Sequence, residues 1–310
     1  MTQSDETVTS QRMTRTVALA EVVAVALIWS SSFVVVKIVL KHTGPFTVAG
    51  LRYFLAFLLL TPWLWRRRAA FGHVAGPVKR RLLLIGVTQY LLGNGALFLS
   101  LKTLPATTAS LAMCLTSIPV LVLSRVWLKE RLHPLQMAGV AAAIVGSVLF
   151  FWRGCAVGGR LAMGALGISV ISFAAFPVLV RKTARDKTVG TIILTGIPLG
   201  SGGVLLLVVA LLVEGIPSLP LTVWGLILGL ALVNTLLGYL LFNHGLRQLG
   251  AVEANVLLNL SPLATALIAW GALGERLAPV QIAAMALVIV GASLAQRRRP
   301  AGTAEATIGS

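Results

Sequence analysis

The sequence predicts an all-α polytopic membrane protein with ten transmembrane helices arranged as two inverted five-helix repeats. Three observations support this fold class: a strongly apolar composition, ten apolar stretches long enough to cross a bilayer, and an internal duplication at one fixed offset. Hydrophobic residues make up 57% of the 310 residues, charged residues only 11%, and the mean hydropathy is +0.92. Soluble globular domains carry roughly a quarter charged residues, so the solvent around most of this chain must be lipid.

The duplication is clearest in a nine-residue segment. The sequence Leu-Lys-Glu-Arg-Leu-His-Pro-Leu-Gln at 128–136 returns 145 residues later as Leu-Gly-Glu-Arg-Leu-Ala-Pro-Val-Gln at 273–281. The same offset pairs Ile-Val-Gly at 144–146 with Ile-Val-Gly at 289–291. One offset that holds in separate segments is hard to obtain by chance, and duplicated membrane proteins usually carry something across the bilayer.

Five spans are predicted in the first repeat, 17–152, because a bilayer-spanning helix needs about 20 largely apolar residues. The polar tail 1–16 is followed by no short apolar core with a clear cleavage site, so the first span is expected to be a retained helix. The fourth span contains Pro119, which neighbouring groups in a membrane bundle can accommodate. The predicted spans are 17–40, 46–65, 82–101, 105–126 and 135–152.

The second repeat, 161–295, has the same pattern and is followed by a second polar tail, 296–310. Its fourth span contains Pro262, which is tolerated for the same reason. Because five is odd, the second repeat must enter the membrane upside down relative to the first. The predicted spans are 161–180, 190–213, 222–246, 251–272 and 279–295.

The distribution of basic residues tests this orientation. With both termini in the cytoplasm, 19 Lys and Arg residues fall on the inner side and 6 on the outer side, while Arg52 falls within a span. This bias follows the positive-inside rule, whereas a random scatter would give near parity. We therefore predict a multi-pass protein of the bacterial inner membrane with both termini cytoplasmic.

The formal charge of +17 does not indicate nucleic acid as a partner, because the basic residues form short runs between apolar stretches and no basic face with interleaved aromatics. The two cysteines, Cys114 and Cys155, make no metal-binding pattern, and no His/Cys/Asp/Glu cluster has metal-ligand spacing. No Walker A sequence is present. The sequence thus predicts neither a metal nor a cofactor, and ATP is not expected to be the direct driver.

Several motifs resemble the ten-helix EamA-type branch of the drug/metabolite transporter superfamily. They are Trp-Ser-Ser-Ser-Phe at 29–33 with Lys37 one turn on, Leu-Arg-Tyr-Phe-Leu-Ala at 51–56, and the doubled Leu-x-Glu-Arg-Leu-x-Pro-x-Gln, each copy followed by a glycine-bearing apolar helix. The resemblance covers about residues 19–295. It implies two inverted five-helix repeats around a central, substrate-sized cavity, in a family that exports amino acids and related metabolites or lipophilic cations.

Polar and aromatic residues deep in the predicted spans are the candidate substrate-binding residues. Tyr90 and Asn94 are four apart and so share one face of an α-helix, and Tyr239 and Asn243 repeat that spacing. Aromatic walls with a few amides suit an amino acid with an apolar side chain, or an organic cation held by cation–π contacts. For each residue the alternative is interhelical hydrogen bonding. The full set is Trp29, Tyr90, Asn94, Phe176, Tyr239, Asn243, Asn255 and Asn259.

Four ionisable residues within or near the spans are candidates for coupling or for structural charge, because intramembrane charge is costly. Arg52 and Lys37 either pair with a carboxylate or serve as anchors that snorkel or bind backbone carbonyls. Glu21, near the predicted inner surface, could carry a proton. Glu253 opens the ninth span, where an acid also suits a helix N-terminus.

The leading hypothesis is a secondary transporter that exports amino acids or related small metabolites by alternating access. The alternatives are an efflux carrier for lipophilic cations, an intramembrane enzyme and a passive channel. The duplication argues against an enzyme, since one active centre does not require two equivalent halves. The expected partners are a small-molecule substrate and the lipid bilayer. The sequence is compatible with a monomer and with a dimer.

Two small-residue patterns also predict close helix packing. They are Gly-x-x-x-Gly at 196–200 and again at 225–229, the spacing that lets two membrane helices approach along their backbones.

Overall fold

The computed structural model describes residues 3–119, 122–123, 134–152, 159–184, 189–249 and 251–295. Over these ranges the chain is helical, and no strand occurs in them. Seven of the predicted spans are confirmed there as helical stretches long and apolar enough to cross a membrane, the last of them interrupted by a turn at 259–260. They are Arg15–Val39, Pro45–Arg66, Gly76–Leu101, Gly159–Phe176, Thr191–Val213, Leu221–Leu246 and Val256–Leu273.

The first half begins with a long helix, and prolines start several of the helices that follow. Pro45 and Pro77 lie in the first turns of α2 and α4, where a missing N–H costs nothing because that group has no partner inside the helix. The third span is continuous but contains a π-helical segment. The elements are α1 (Gln3–Val39), α2 (Pro45–Arg66), α3 (Arg68–Gly72), α4 (Gly76–Ile85), π1 (Gly86–Asn94), α5 (Gly95–Leu101), α6 (Ala106–Cys114) and α7 (Pro134–Trp152).

The second half follows the same order, again with a π-helical segment inside its third long helix. Its elements are α8 (Gly159–Ala184), α9 (Thr191–Val213), α10 (Leu221–Gly229), π2 (Leu230–Leu237), α11 (Gly238–Gln248), α12 (Ala251–Leu258), α13 (Ser261–Leu273) and α14 (Pro279–Ala295).

The ninth predicted span, 251–272, is divided and not one continuous helix. Pro262 has no N–H to donate to the carbonyl of Leu258, so α12 ends at Leu258 and α13 restarts with this proline in its first turn. The fourth span is described as α6, which is followed by a turn at 115–116; the rest of that prediction lies largely outside the described residues. The fifth and tenth spans are shorter apolar helices, Met137–Phe150 and Pro279–Leu294.

The helix boundaries repeat with the offset of the sequence duplication. The long helices Gly76–Leu101 and Leu221–Leu246 are 145 residues apart at both ends. Helix α12 begins 145 residues after α6, and α14 begins 145 residues after α7. These described helices of the two halves therefore correspond at the offset of the sequence duplication.

The equivalent helices α7 and α14 pack against each other through two glycines. A Cβ atom at Gly146 would lie 2.9 Å from the carbonyl oxygen of Ala284, and one at Gly291 would lie 2.7 Å from that of Gly139. A residue in the later half of α7 thus contacts the early part of α14, and a residue in the later half of α14 contacts the early part of α7. The two helices are therefore antiparallel. The offset also relates Gly146 to Gly291 and Gly139 to Ala284, so the two contacts are the same contact made from either half.

Helices α2 and α9 form a second antiparallel pair. A Cβ atom at Gly50 would lie 2.8 Å from the Cα of Leu207, and one at Gly203 would lie 3.0 Å from the backbone nitrogen of Phe54. The early part of each helix thus meets the late part of the other. Only glycine leaves room for these backbones to approach.

The first predicted glycine pattern is confirmed as a packing face, and the second is wrong. Cβ atoms at Gly196 and Gly200 would each lie 2.6 Å from a side-chain atom, of Leu64 and Phe57 respectively. At Gly225 and Gly229 no such atom lies within 4 Å in the described part of the chain. Both residues are exposed on α10, because this face of the helix points away from its neighbours in the bundle.

The helices alternate in direction, which places the connections 40–44 and 102–105 at one end of the bundle. We call this the distal end and the opposite end, where 67–75 lies, the proximal end.

Candidate functional site

A cavity of about 140 Å³ lies near the middle of the bundle, between the two halves of the chain. Residues of α1, α2, π1, α5 and α6 form one side of it, and residues of α8, α11 and the α12–α13 turn form the other. An apolar cavity of about 150 Å³ can hold a benzene molecule, so this space is large enough for a small organic ligand. Its aromatic wall consists of Trp29, Phe33, Phe98, Phe173, Phe176, Tyr239 and Phe242.

The π-helical segment π1 determines which polar side chains face the cavity. The N–H of Gly95 donates to the carbonyl of Tyr90, five residues earlier, which is the hydrogen bond of a π-helix. Gln89 and Asn94 both line the cavity, and Asn94 Nδ2 donates to the carbonyl of Gln89 over 2.7 Å. Tyr90 is buried and is not among the residues that line the cavity, so the predicted Tyr90–Asn94 pair is not brought together at the wall.

A signal for this spacing was present in the sequence duplication. The 145-residue offset pairs Gln89 with Asn234 and Asn94 with Tyr239. Within each half the two residues are five positions apart. In the second half the N–H of Gly238 donates to the carbonyl of Val233, again five residues back. The two π-helical segments are thus equivalent features of the two halves.

Tyrosines and amides join the two halves beside the cavity. Tyr53 donates its hydroxyl to Asn94 Oδ1 over 2.5 Å, and Gln89 Nε2 donates to the Tyr239 hydroxyl over 2.9 Å. Tyr90 lies between these two tyrosines, with ring centroids 4.9 Å from Tyr53 and 5.3 Å from Tyr239. Buried hydrogen-bond networks of this kind hold side chains in one arrangement.

Trp29 connects the middle of α1 to the second half. Its Nε1 donates to the carbonyl of Asn234 over 3.0 Å, and Asn234 Nδ2 donates to Ser31 Oγ over 3.0 Å. The indole packs on Tyr239 and Phe242, with ring centroids 5.2 Å away in each case. The predicted residues Trp29, Tyr239 and Phe176 therefore lie together at the cavity wall.

Arg52 is buried at the cavity wall and is only 3% exposed. Its Nε donates to Thr235 Oγ1 and its Nη1 to Ser32 Oγ, both over 2.6 Å. The guanidinium carbon lies 5.1 Å from the ring centroid of Tyr53 and 5.7 Å from that of Phe98. Among the described residues the arginine is thus held by hydroxyl groups and aromatic rings.

The remaining asparagines separate into different environments. Asn259 lines the cavity, and no hydrogen-bond partner of its Nδ2 occurs in the described part of the chain. Asn243 does not line the cavity; its Nδ2 donates to Thr195 Oγ1 over 2.8 Å, so it joins α11 to α9. This corrects its predicted place, because the face of α11 that carries Asn243 turns toward α9. The side chains of Asn255 and Glu253 lie outside the described residues.

Two of the predicted ionisable residues lie toward the ends of the bundle and do not line the cavity. Glu21 is bonded to His244 Nδ1 at 2.8 Å, near the proximal end. Lys37 Nζ donates to the carbonyls of Leu101, over 3.3 Å, and Leu104 near the distal end, as expected of an anchor. Within the described ranges, no group of three His, Cys, Asp or Glu residues is placed to hold a metal.

At the distal end, two glutamates of the second half cap two helices of the first. Glu275 accepts the N–H groups of Ala106 and Thr107, over 2.8 and 3.1 Å, and the Thr107 hydroxyl over 2.9 Å. Glu214 accepts the N–H groups of Phe46 and Thr47, over 3.0 and 2.8 Å. A carboxylate is stabilised at a helix N-terminus by the free N–H groups and the helix dipole. The sequence did not predict these distal caps.

The family relationship agrees with this geometry. Two copies of the model for the "EamA-like transporter family" match residues 16–152 and 161–296, which together are most of the chain. The chain belongs to the EamA-like transporter family. It is therefore a membrane transporter of the drug/metabolite transporter superfamily, and its two family domains coincide with the two halves that pack around the cavity.

Curated relatives of this EamA-type transporter are themselves named as transporters. The chain is 28% identical over 218 residues to the "Uncharacterized transporter YyaM" of Bacillus subtilis, covering 67% of this chain and 70% of that protein. It is 27% identical over 281 residues to the "Probable amino-acid metabolite efflux pump" of Salmonella typhimurium, covering 86% and 90%. It is 24% identical over 272 residues to the "Uncharacterized inner membrane transporter YedA" of Escherichia coli, covering 86% of each chain.

A solved crystal structure of a protein that is 19% identical in sequence superposes on the chain with a TM-score of 0.67, covering 90% of this chain and 96% of that one. The fold of the EamA-type chain is therefore shared with a known structure.

Two buried amides offer a matched test of the cavity wall in this transporter. Gln89 and Asn243 each donate one side-chain hydrogen bond, and each has an oxygen with no partner among the described residues. Only Gln89 lines the cavity. We expect Gln89→Ala to change the relative rates at which different substrates are exchanged by several-fold. Asn243→Ala should instead lower the free energy of unfolding by about 1–3 kcal/mol without altering that ranking.

The check is the exchange rates of several labelled substrates in proteoliposomes, together with thermal unfolding of each variant. Equal changes of the ranking in both variants would contradict the assignment of Gln89 to the site.

Proposed function

We propose that this chain is a secondary transporter that exports amino acids or related small metabolites across the bacterial inner membrane by alternating access. We further propose ten transmembrane helices in two inverted five-helix repeats around the cavity, with both termini cytoplasmic. The observation that carries the proposal is the central cavity whose walls come from both halves of a duplicated membrane chain. In transporters built from inverted repeats the substrate site lies near the bilayer midplane at the repeat interface.

The antiparallel packing of equivalent helices supports the inversion. Helix α7 packs antiparallel to α14, and α2 packs antiparallel to α9; the members of each pair are related by the 145-residue offset. Two equivalent helices that cross the bilayer in opposite directions belong to halves of opposite orientation. A parallel duplication would place equivalent helices in the same direction.

The lengths of the shorter helices are compatible with ten crossings. Helices α7 and α14 have 19 and 17 residues, which at 1.5 Å per residue correspond to about 28 and 26 Å. The hydrocarbon core is about 30 Å thick, and a slightly short helix is accommodated by local thinning of the bilayer.

Contacts between the halves at both ends of the bundle support alternating access. Glu214 caps the start of α2, and Glu275 caps the start of α6. These distal caps join the second half to the first at the distal end. The Glu21–His244 pair joins α1 to α11 near the proximal end. A rocking motion between the halves can break one set of polar contacts while it keeps the other, which opens the cavity to one side at a time.

The lining of the cavity favours a metabolite over a lipophilic cation. Amide groups of Gln89, Asn94 and Asn259 stand among aromatic side chains, as in sites that orient a small ligand with a few polar groups. Arg52 places a positive charge in the same wall, and this charge repels a cationic ligand. The printed name of the Salmonella relative, which refers to amino-acid metabolite efflux, agrees with this class.

The test is counterflow in proteoliposomes that contain the purified protein, with a panel of labelled apolar and aromatic amino acids and one lipophilic dication. We expect saturable exchange of one or more amino acids and no exchange of the dication. Protein-free liposomes are the control for leakage. Exchange of the dication alone would contradict the substrate class, and flux that does not saturate or show counter-exchange would indicate a channel in place of a carrier.

A further inference from the structure

We propose that Arg52 binds a carboxylate of the transported molecule, and that this carboxylate, not an amino group, is the feature the site requires. The inference rests on the proposed function, since it assigns the cavity as the substrate site. It narrows the substrate class to monocarboxylates with an apolar body, a class that contains apolar amino acids but does not require their ammonium group.

The charge of Arg52 lacks a counter-charge in the described structure. The side chain is 3% exposed, and burying a charge away from water is costly unless an opposite charge or several hydrogen bonds compensate it. No Asp or Glu oxygen of the described residues lies within 4.0 Å of the guanidinium. The rings of Tyr53 and Phe98 compensate it only in part, through cation–π contacts. A bound anion would complete the compensation.

The guanidinium also has donors to spare. It carries five N–H groups, and two hydrogen bonds, to Thr235 and Ser32, are formed within the described residues. These two bonds hold the planar group against α1 and π2 while other N–H groups remain available at the cavity wall. A planar fork of donors matches the two oxygens of a carboxylate, which is why arginine is common in carboxylate sites.

Two residues that line the cavity each carry a buried polar atom with no partner among the described residues. The atoms are Asn259 Nδ2, a donor, and Gln89 Oε1, an acceptor; both side chains are more than nine-tenths buried, at 4% and 3% exposed. Because both residues line the cavity, their amides add hydrogen-bonding capacity for a polar ligand beside Arg52. An unpaired amide atom does not mark the site by itself, since Asn243 Oδ1, away from the cavity, also has no partner among the described residues. The rest of the wall is largely apolar and aromatic and fits the body of such a ligand.

An ammonium group finds no matching charge in the same wall. The described residues that line the cavity include Arg52 but no Asp or Glu. The Gln89 oxygen can accept one hydrogen bond from an N–H or O–H group, but a neutral acceptor does not compensate a full positive charge. The carboxylate is therefore the group that the cavity recognises by charge.

The first experiment uses the unmodified full-length protein in detergent and measures ligand binding by isothermal calorimetry. The probes are L-leucine, 4-methylpentanoate, which lacks the amino group, and 3-methylbutylamine, which lacks the carboxylate. A second series of three probes carries a phenyl group in place of the branched alkyl group. It tests whether the result holds for a different apolar side chain. We expect the acid and the amino acid to bind with dissociation constants within about tenfold of each other, and the amine not to bind. Binding of the amines with no binding of either acid would overturn the inference, as would no binding of any carboxylate in either series.

The second experiment replaces the arginine. Arg52→Gln should weaken 4-methylpentanoate binding about 10- to 100-fold, the loss expected for charge-assisted hydrogen bonds. Arg52→Lys should show a smaller loss, because it keeps the charge but not the planar fork. The matched control is Arg68→Gln, which removes an exposed arginine stacked on Trp65 outside the cavity and should leave binding unchanged. Equal binding by Arg52→Gln and the parent protein, with both folded, would overturn the inference.

The two kinds of failure are distinguishable. Arg52-dependent carboxylate binding without counterflow would contradict the proposed transport activity and leave the inference standing. Counterflow of L-leucine that 3-methylbutylamine inhibits as well as 4-methylpentanoate does would support transport and overturn the inference. Because the binding series uses the unmodified protein, the result does not depend on whether Arg52→Gln folds.

Discussion

Replacing Glu275 with glutamine is expected to open the distal end of the transporter and expose its cavity to that side. The carboxylate of Glu275 accepts three hydrogen bonds at the start of α6, two from N–H groups and one from the Thr107 hydroxyl. Hydrogen bonds to a charged group contribute about 1.5–3 kcal/mol each. Glutamine keeps one acceptor oxygen, loses the charge, and turns an N–H₂ group toward donors.

The expected loss is about 2 kcal/mol in the state that is closed at the distal end. If the cap exists only in that state, as alternating access requires, the equilibrium shifts about 30-fold toward the distally open state. A shift of this size changes the dominant conformation of a carrier whose two states are similar in free energy.

Cys114 supplies the readout, because it is a buried free cysteine that lines the cavity. In a Cys155→Ser background, a membrane-impermeant thiol reagent added to intact cells should modify Cys114 more than tenfold faster in Glu275→Gln than in the parent. Arg276→Gln, which changes the neighbouring exposed charge, is the control and should leave the rate unchanged. In the proposed orientation, with both termini cytoplasmic, the distal end faces the outside of the cell, and an unchanged rate in Glu275→Gln would then contradict closure of that end by the cap.

Gly291→Ala is expected to destabilise the protein, whereas the same substitution at Gly225 is expected to stabilise it. A Cβ atom at Gly291 would lie 2.5 Å from the backbone nitrogen of Ala143 and 2.7 Å from the carbonyl oxygen of Gly139. Both obstacles are backbone atoms, so relief requires α7 and α14 to separate. Overpacking of this kind costs about 1–3 kcal/mol, occasionally more. At Gly225 no described atom lies within 4 Å, and Gly→Ala in an open helical site stabilises by about 0.4–1 kcal/mol.

Thermal unfolding in detergent, followed by circular dichroism, measures the stability of both variants. The chemical change is the same in each, so a difference between them reports on the site. Gly146→Ala should resemble Gly291→Ala, because a Cβ atom there would lie 2.9 Å from the backbone nitrogen of Val288 and the carbonyl oxygen of Ala284. Similar melting temperatures for the Gly291 and Gly225 variants would mean that the α7–α14 contact is not a close backbone contact, and would remove one support for inverted repeats.

The spans could be predicted from the sequence because the signal for a membrane helix is local. A run of about 20 apolar residues must form its hydrogen bonds internally in lipid, whatever surrounds it. Seven of the predicted spans accordingly appear as long apolar helices in the described chain. The prediction was less accurate where a local exception intervened, as at Pro262, which divides the ninth span into α12 and α13.

The site was predicted only in part because it depends on how each helix is rotated about its axis. Trp29, Asn94, Phe176, Tyr239 and Asn259 do line the cavity. Tyr90 and Asn243 do not, because Tyr90 packs between Tyr53 and Tyr239 and the Asn243 amide donates to Thr195. Gln89 also lines the cavity; it was not among the predicted residues, although the 145-residue offset pairs it with Asn234.

The sequence by itself determined that this protein is a membrane protein, that it is built from two related halves and that it belongs to a transporter family. The first two properties follow from composition, from hydropathy over short windows and from a repeat offset, and the third follows from the motifs that resemble the EamA family; none of them requires knowledge of distant contacts. Only the tertiary structure decided that Arg52 stands in the cavity wall without a described acidic partner, and that Glu275 closes on α6. The partners in these contacts are 183 and 169 residues apart in the chain, and a separation of that size is set by the packing of the two halves, which local patterns do not encode.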